Sequence, residues 1–279
     1  MRLISGAYLF PVRLAVSLAG LIWCWKNLET GLVLPGAGVV LGDPCFWGIA
    51  ITSILLVGAL KALRFRFSLR NDPLRPAELE CVSLGTFFLE GILLGPVESG
   101  TALAALLVRT GADGVAARRA VASGRRAGAA SLGILFMAGA LAGGLGSPAW
   151  AAGAVLFPLG AVAAGGKPPK GTPLLAFLLS FLTQAFLILP WPLALVSLGA
   201  HPGWLATALA GGPLLIAVRY LPTLGGLGLR EALALFLLQP LLGPLTGLIA
   251  LLIFAIWAAS CIMGAAAYLL GGHLAKQRG

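Results

Sequence analysis

The chain has 279 residues, of which 59% are hydrophobic and 10% charged, with 39 glycines and a mean hydropathy of +0.99. A soluble globular domain is about a quarter charged, so this composition excludes a soluble enzyme, a disordered tail and a nucleic-acid-binding module. The net charge of +10, from 19 basic against 9 acidic residues, is what a membrane protein accumulates in cytoplasmic loops, with attraction to anionic headgroups as a secondary effect.

A helix crosses a bilayer core with roughly 20 apolar residues, so the length allows roughly six to eight passes with short loops. A β-barrel would alternate polar and apolar residues in strands of about ten, whereas this chain has long unbroken apolar runs. The expectation is an all-α polytopic membrane protein, one integral domain over 1–279, with about six spanning helices and two re-entrant hairpins. No small-residue cleavage site follows the first apolar stretch, which reads as an uncleaved span. Cys24, Cys45, Cys81 and Cys261 lack metal-ligand spacing and read as small hydrophobic residues.

In chain order, a first span over 8–28 leads to a Gly-rich outer loop, and a second over 45–63 returns to a cytoplasmic Arg-rich segment beginning at Arg64. The next apolar stretch, 81–108, lies between that cluster and a second one containing Arg109, Arg118, Arg119, Arg125 and Arg126. A helical hairpin turning at Gly95-Pro96 keeps both clusters inside, where a single span would force one out. Spans then follow at 127–146, 149–166 and 172–199, the last kinked at Pro190-Trp191-Pro192. The final span, 244–270, ends inside at Lys276 and Arg278, which makes 204–243 a second hairpin, entered from outside. Both termini are then cytoplasmic. The tips Pro96-Val-Glu-Ser-Gly100 and Pro222-Thr-Leu-Gly-Gly226 share Pro-x-x-x-Gly. The order of spans repeats with opposite starting sides, the pattern of inverted repeats over 1–146 and 149–270, in which broken helices meet near the midplane at a substrate.

Charges inside apolar segments cost about 2.5–3.5 kcal/mol each at a helix centre and mark candidate function. They are Arg13, Glu90, Glu98, Arg219, Arg230 and Glu231. Arg13 is near enough to a span end to snorkel. The others gather around the two tips, together with Pro96, Gly100, Pro222, Gly225, Gly226 and Gly228. One reading is a set of structural ion pairs holding the hairpins. The other is a headgroup site: Arg offers a bidentate fork to phosphate, half-helix N-termini favour anions, and glycine lets backbone approach a ligand. The carboxylates then bind a cationic head or relay a proton. No metal cluster, phosphate loop or nucleophile–base set is present in the sequence. His201 and His273 read as interfacial polar residues, and Trp23, Trp25, Trp47, Trp150 and Trp257 as aromatic-belt or packing residues. Neither catalysis nor a cofactor is expected.

Three segments carry a family resemblance: Leu60-Lys-Ala-Leu-Arg-Phe-Arg-Phe-Ser-Leu-Arg70, Gly95-Pro-Val-Glu-Ser-Gly100 continuing through Arg109 to Arg125, and Leu221-Pro-Thr-Leu-Gly-Gly-Leu-Gly-Leu-Arg-Glu231. Over about 60–270 the chain resembles the membrane domain of lysylphosphatidylglycerol synthases and its stand-alone, flippase-like relatives. Their Gly-Gly-x-Gly-x-Arg-Glu signature is similar to the last segment. It departs from them at the first tip, where Glu98-Ser99-Gly100 stands in place of Gly-Glu. The resemblance implies a multi-pass inner-membrane lipid flippase. The full-length enzymes carry a soluble aminoacyl-transferase domain after the membrane part, and without one here transferase activity is expected to be absent.

The functional expectation is therefore a transporter that moves a polar or phosphate-bearing lipid between leaflets through a midplane headgroup site. The partners expected are anionic or aminoacylated phospholipid, or a prenyl-phosphate lipid, and a homo-oligomer or a lipid-synthesis enzyme, with no nucleic acid. The alternative is a non-transporting membrane partner that presents a lipid or prenyl-linked intermediate to a separate synthase.

Overall fold

The computed structural model describes residues 3–27, 38–69, 75–93, 96–142, 174–190, 192–193, 211–212, 223–242 and 245–276. Among these residues there are helices and turns and no strand. The helices are α1 (Leu3–Asn27), α2 (Pro44–Ser68), α3 (Pro76–Phe88, running on into a π-helical turn at Leu89–Leu93), α4 (Pro96–Arg109), α5 (Gly114–Ala142), α6 (Leu174–Ile188), α7 (Leu229–Leu242) and α8 (Leu245–Lys276). Two of them are long and apolar enough to cross a membrane, over Pro44–Ser68 and Thr246–Gly271.

Local chemistry sets several boundaries. α2 starts with Pro44 in its first turn, and the Asp43 carboxylate accepts from the Cys45 N–H at 2.8 Å, a proline start combined with a side-chain cap. Pro76 and Pro96 likewise open α3 and α4. α4 begins at Pro96 of the predicted Gly95-Pro96 break; Gly95 itself lies outside the described residues. Asp113 caps α5, its Oδ2 accepting from Val115 and Ala116 at 2.9 and 2.8 Å. α6 ends at Ile188, and the helix is interrupted before Pro190, where the kink was expected.

Packing runs through neighbours in the order α1, α7, α8, α3, α2, α6, α5, α4. α3 is buried almost all round, at Glu78, Leu79 and every residue from Val82 to Phe87, because α8, α2 and α4 enclose it. Glycines bring its neighbours close: a Cβ at Gly264 of α8 would stand 2.7 Å from the Phe88 amide nitrogen and 2.8 Å from the Leu84 carbonyl oxygen. By contrast α1 and α2 leave apolar faces uncovered, with Trp25 69% and Ile22 57% exposed on α1.

One expectation is corrected here. The basic clusters do not all lie in loops: Arg64 and Arg66 fall within α2, and Arg118, Arg119, Arg125 and Arg126 within α5. The helices run past the apolar segments that hydropathy alone delimits, because Arg sustains helix as well as leucine does. The span expected at 149–166 and residues 28–37 and 194–210 lie outside the described residues.

Two predictions follow from these contacts. Gly264→Ala is expected to destabilise by about 1–3 kcal/mol, because the new methyl meets backbone that cannot move aside. Gly58→Ala, which meets only the tip of Leu84, is expected to cost less, the side chain turning away while the helix gains about 0.5–1 kcal/mol from losing a glycine; thermal unfolding in lipid nanodiscs compares them. The Ala116 N–H, followed by the Val115 and Gly114 N–H groups and the Arg118 charge, holds the Asp113 carboxyl below its ordinary value of 3.8. A lowered folded value means that the cap is at full strength above about pH 4 and is lost as pH falls through the folded value. Hydrogen-exchange protection at Val115 and Ala116, taken relative to the intrinsic rate at each pH, should fall on acidification below about pH 4 and in Asp113→Ala, while Asp113→Asn keeps the cap without the acid sensitivity.

Candidate functional site

The segment Thr223–Gly228 is a turn that feeds α7. Gly225, Gly226 and Gly228 have φ of +58°, +87° and +79°, left-handed conformations that glycine adopts without strain. The turn is tied internally and to α1. Gly226 N–H donates to Thr223 Oγ1 at 2.9 Å and Leu224 N–H to Ser17 Oγ at 3.0 Å, and the Cys24 thiol donates to the Gly228 carbonyl at 3.6 Å. Arg13, Ser17, Gly20 and Cys24 share one face of α1 by helical spacing, and a Cβ at Gly20 would stand 2.6 Å from the Gly228 carbonyl carbon. α1 thus presents a small-residue stripe to the turn.

Glu231 secures the start of α7. Its Oε2 accepts the Gly228 N–H at 2.6 Å, the return half of a capping box. Its Oε1 accepts from Arg230 Nε and Nη2 at 3.1 and 2.6 Å. Both residues are buried, Glu231 to 3% exposure. Arg230 also lies over the Trp257 ring at 5.6 Å, within cation–π range. Glu231 thereby meets the structural reading of the charged pairs, while Arg230 faces elsewhere as well. The guanidinium has five N–H donors, and among the described residues no acceptor other than Glu231 takes them.

Arg230 lines a cavity of about 120 Å³ together with Glu90, Gly91, Gly225, Trp257, Ser260 and an apolar ring that includes Ile54, Phe87, Ile188, Ile253 and Ile256. Since an apolar cavity of about 150 Å³ takes up benzene, this one, partly open, has room for a small polar group. Its wall carries donors in the Arg230 guanidinium and the Trp257 indole N–H, which is buried without a hydrogen-bond partner among the described residues. It carries one carboxylate, Glu90, on the π-helical turn. That turn is where helix meets loop: a Cβ at Gly225 would stand 2.5 Å from the Gly91 carbonyl oxygen and 2.6 Å from its Cα, so backbone lies directly on backbone.

Of the residues singled out from sequence, the structure brings together Glu90, Gly225 and Arg230 at the cavity, with Gly226, Gly228 and Glu231 in the turn behind. Gly100 lies apart, against α5, where a Cβ would stand 2.6 Å from Arg125 Nη1. The loop thus meets the first helical segment at Gly91, before the Pro96 tip. The side chains of Pro96 and Glu98, and all of Arg219 and Pro222, lie outside the described residues. Arg13 is buried rather than at an edge. Sequence reasoning missed Gly91 and Trp257. The signal for Trp257 was its position in the middle of Thr246–Gly271, where an aromatic belt does not reach.

Gly228→Ala is expected to destabilise by about 2–5 kcal/mol, from a left-handed alanine and the collision of its methyl with the Ser17 carbonyl oxygen. Gly38→Ala, with nothing near its Cβ position, serves as the control and should leave the melting temperature unchanged. No family model, no curated protein and no solved structure matches the chain.

Proposed function

We propose that this chain is a multi-pass membrane protein of the flippase type, which holds the phosphate-bearing head of a lipid in the Arg230 cavity and passes it between leaflets. The observation that carries the reading is the cavity itself: a guanidinium, an indole N–H without a partner among the described residues and a carboxylate set among apolar helices, at the N-terminus of α7 and beside a π-helical turn. A buried guanidinium whose donors meet only Glu231 among the described residues suits phosphate oxygens, and the helix terminus adds its dipole. Glu90 gives the cavity an acceptor for a headgroup amine or hydroxyl. Irregular backbone at such depth is tolerated where it lines a cavity, and π-helical turns recur at functional sites.

The proposed topology has about six spans and two re-entrant hairpins, with both termini cytoplasmic in a cell inner membrane. Three things support it: two helices of spanning length, exposed apolar faces such as those of α1, and α4. At 14 residues α4 is about 21 Å long, short of a core about 30 Å thick, which suits one arm of a hairpin. The resemblance to the lysylphosphatidylglycerol synthase membrane domain supports the lipid class.

The test is transfer of fluorescent phosphatidylglycerol across proteoliposomes, read by dithionite quenching of the outer leaflet. Removing Arg230 alone strands the buried Glu231 charge, so the informative variant is Arg230→Met with Glu231→Gln, which keeps volume and cap. Transfer is expected to fall at least about tenfold, the equivalent of one charge-assisted contact. A folded double variant that transfers at the wild-type rate overturns the proposal.

A further inference from the structure

Most of the neutral donors around the Arg230 cavity are already engaged within the protein. Ser260 lines the cavity, but its hydroxyl donates to the Trp257 carbonyl oxygen at 2.7 Å, so it turns lone pairs to the space in front of it. The Cys261 thiol donates to the Phe87 carbonyl at 3.7 Å. The N–H groups of Gly226 and Gly228 go to Thr223 and Glu231. The indole of Trp257 differs from these: its Nε1 is buried and has no hydrogen-bond partner among the described residues. An indole N–H can only donate, and buried donors are paired in the great majority of cases. An acceptor must therefore come to it.

The surroundings of the indole hold that donor in place. Its ring packs against Phe254, with centroids 5.9 Å apart, and the Arg230 guanidinium carbon lies 5.6 Å from the ring centre. Glu231 takes Nε and one hydrogen of Nη2 of that guanidinium, which leaves three of its five N–H groups without an acceptor among the described residues. Gly91, on the π-helical turn, keeps side-chain atoms off the edge of the indole: a Cβ there would stand 3.4 Å from Nε1. The two donor groups thus line one cavity from different helices, Arg230 from α7 and Trp257 from α8.

We infer that Trp257 is a specificity-determining residue of the cavity, its N–H donating to one non-bridging oxygen of a phosphodiester whose other non-bridging oxygen Arg230 holds. The inference rests on the reading of the cavity as a headgroup site and narrows the ligand to an anion that offers acceptor oxygens to two donors at once. A phosphodiester does this with one shared charge, whereas an amine head has no acceptor to offer and a neutral phosphotriester has no charge for Arg230. Arg230 supplies charge, which any anion satisfies, and Trp257 supplies a single direction, which only a correctly placed oxygen satisfies.

The experiment measures binding of short-chain phosphatidylglycerol to the full chain by titration calorimetry, beside transfer in the proteoliposomes. Trp257→Phe removes the N–H and keeps an aromatic ring beside Arg230; it should weaken binding about tenfold. The decisive ligands are the two diastereomers of phosphorothioate phosphatidylglycerol, in which sulfur, a weaker acceptor, replaces one or the other non-bridging oxygen. The wild-type protein should bind one about fivefold more tightly than the other, and Trp257→Phe should bind both alike. Should Trp257→Phe fail to fold, replacement of Trp257 by benzothienylalanine, which exchanges the N–H for sulfur in a ring of the same shape, should remove the preference in the same way. A folded variant that keeps wild-type affinity and preference, or that weakens all three ligands by one factor, overturns the role of Trp257; if the Arg230→Met, Glu231→Gln variant is then inactive, the cavity reading stands. A wild-type protein that binds neither phosphatidylglycerol nor dimethyl phosphate overturns both. Binding of dimethyl phosphate that Trp257→Phe weakens about tenfold, with no lipid transfer, supports the role of Trp257, assigns the cavity to a soluble phosphodiester and overturns the flippase reading.

Discussion

Everything at the cavity depends on a backbone-to-backbone contact between Gly225 and Gly91. A left-handed turn can be driven against a helix only where neither partner carries a side chain, and here the space a methyl would need is already filled by the other chain segment. The contact fixes the height at which α7 begins, and so where Arg230 projects. Glu231 then completes the arrangement by closing the first turn of α7 onto Gly228 and holding two donors of Arg230. The same carboxylate that looks like half of an ion pair is thus the element that aims the other half.

The α1 stripe extends this constraint to the opposite side of the turn. Ser17, Gly20 and Cys24 receive Leu224 and Gly228, so the Gly-rich segment is gripped between α1 and the π-helical turn. Among the described helices α1 finds its main neighbour in α7, and its outer face is apolar and exposed. Its tie to the bundle is largely this small-residue seam, a mode of association that suits helices in lipid, where close approach and dispersion replace the hydrophobic drive.

The broad features were legible in the sequence because they follow from composition and from punctuation. Long apolar runs gave helices, the Gly95-Pro96 pair marked the point at which α4 starts, and the Gly-Gly-x-Gly-x-Arg-Glu run pointed to the turn and the cavity arginine. What could not be read was which partner each segment meets. The spacing Pro-x-x-x-Gly suggested that two tips come together, yet Gly100 serves α5 and the turn rests on Gly91, a residue whose neighbours in sequence give no hint of a π-helical turn. The basic residues were misread for a physical reason: a charge count assigns Arg to loops by topology, while a half-buried Arg64 is held inside a helix by hydroxyl and carbonyl acceptors on α5 and α6, which no local pattern records.

The π-helical turn at Leu89–Leu93 has a consequence for how this chain tolerates change in length. A turn wider than 3.6 residues accommodates one residue more than an α-helix would, and it lets Phe87, Glu90 and Gly91 all face one cavity. Removing a single residue from this stretch would restore regular helix and rotate whatever follows by about 100° relative to what precedes. Glu90 and Gly91 could then no longer both address α7. The extra residue therefore acts as a phase shift in the chain, and a deletion here would be felt as a change of facing between α3 and whatever follows it, although a deletion in a nearby loop would only shorten the loop.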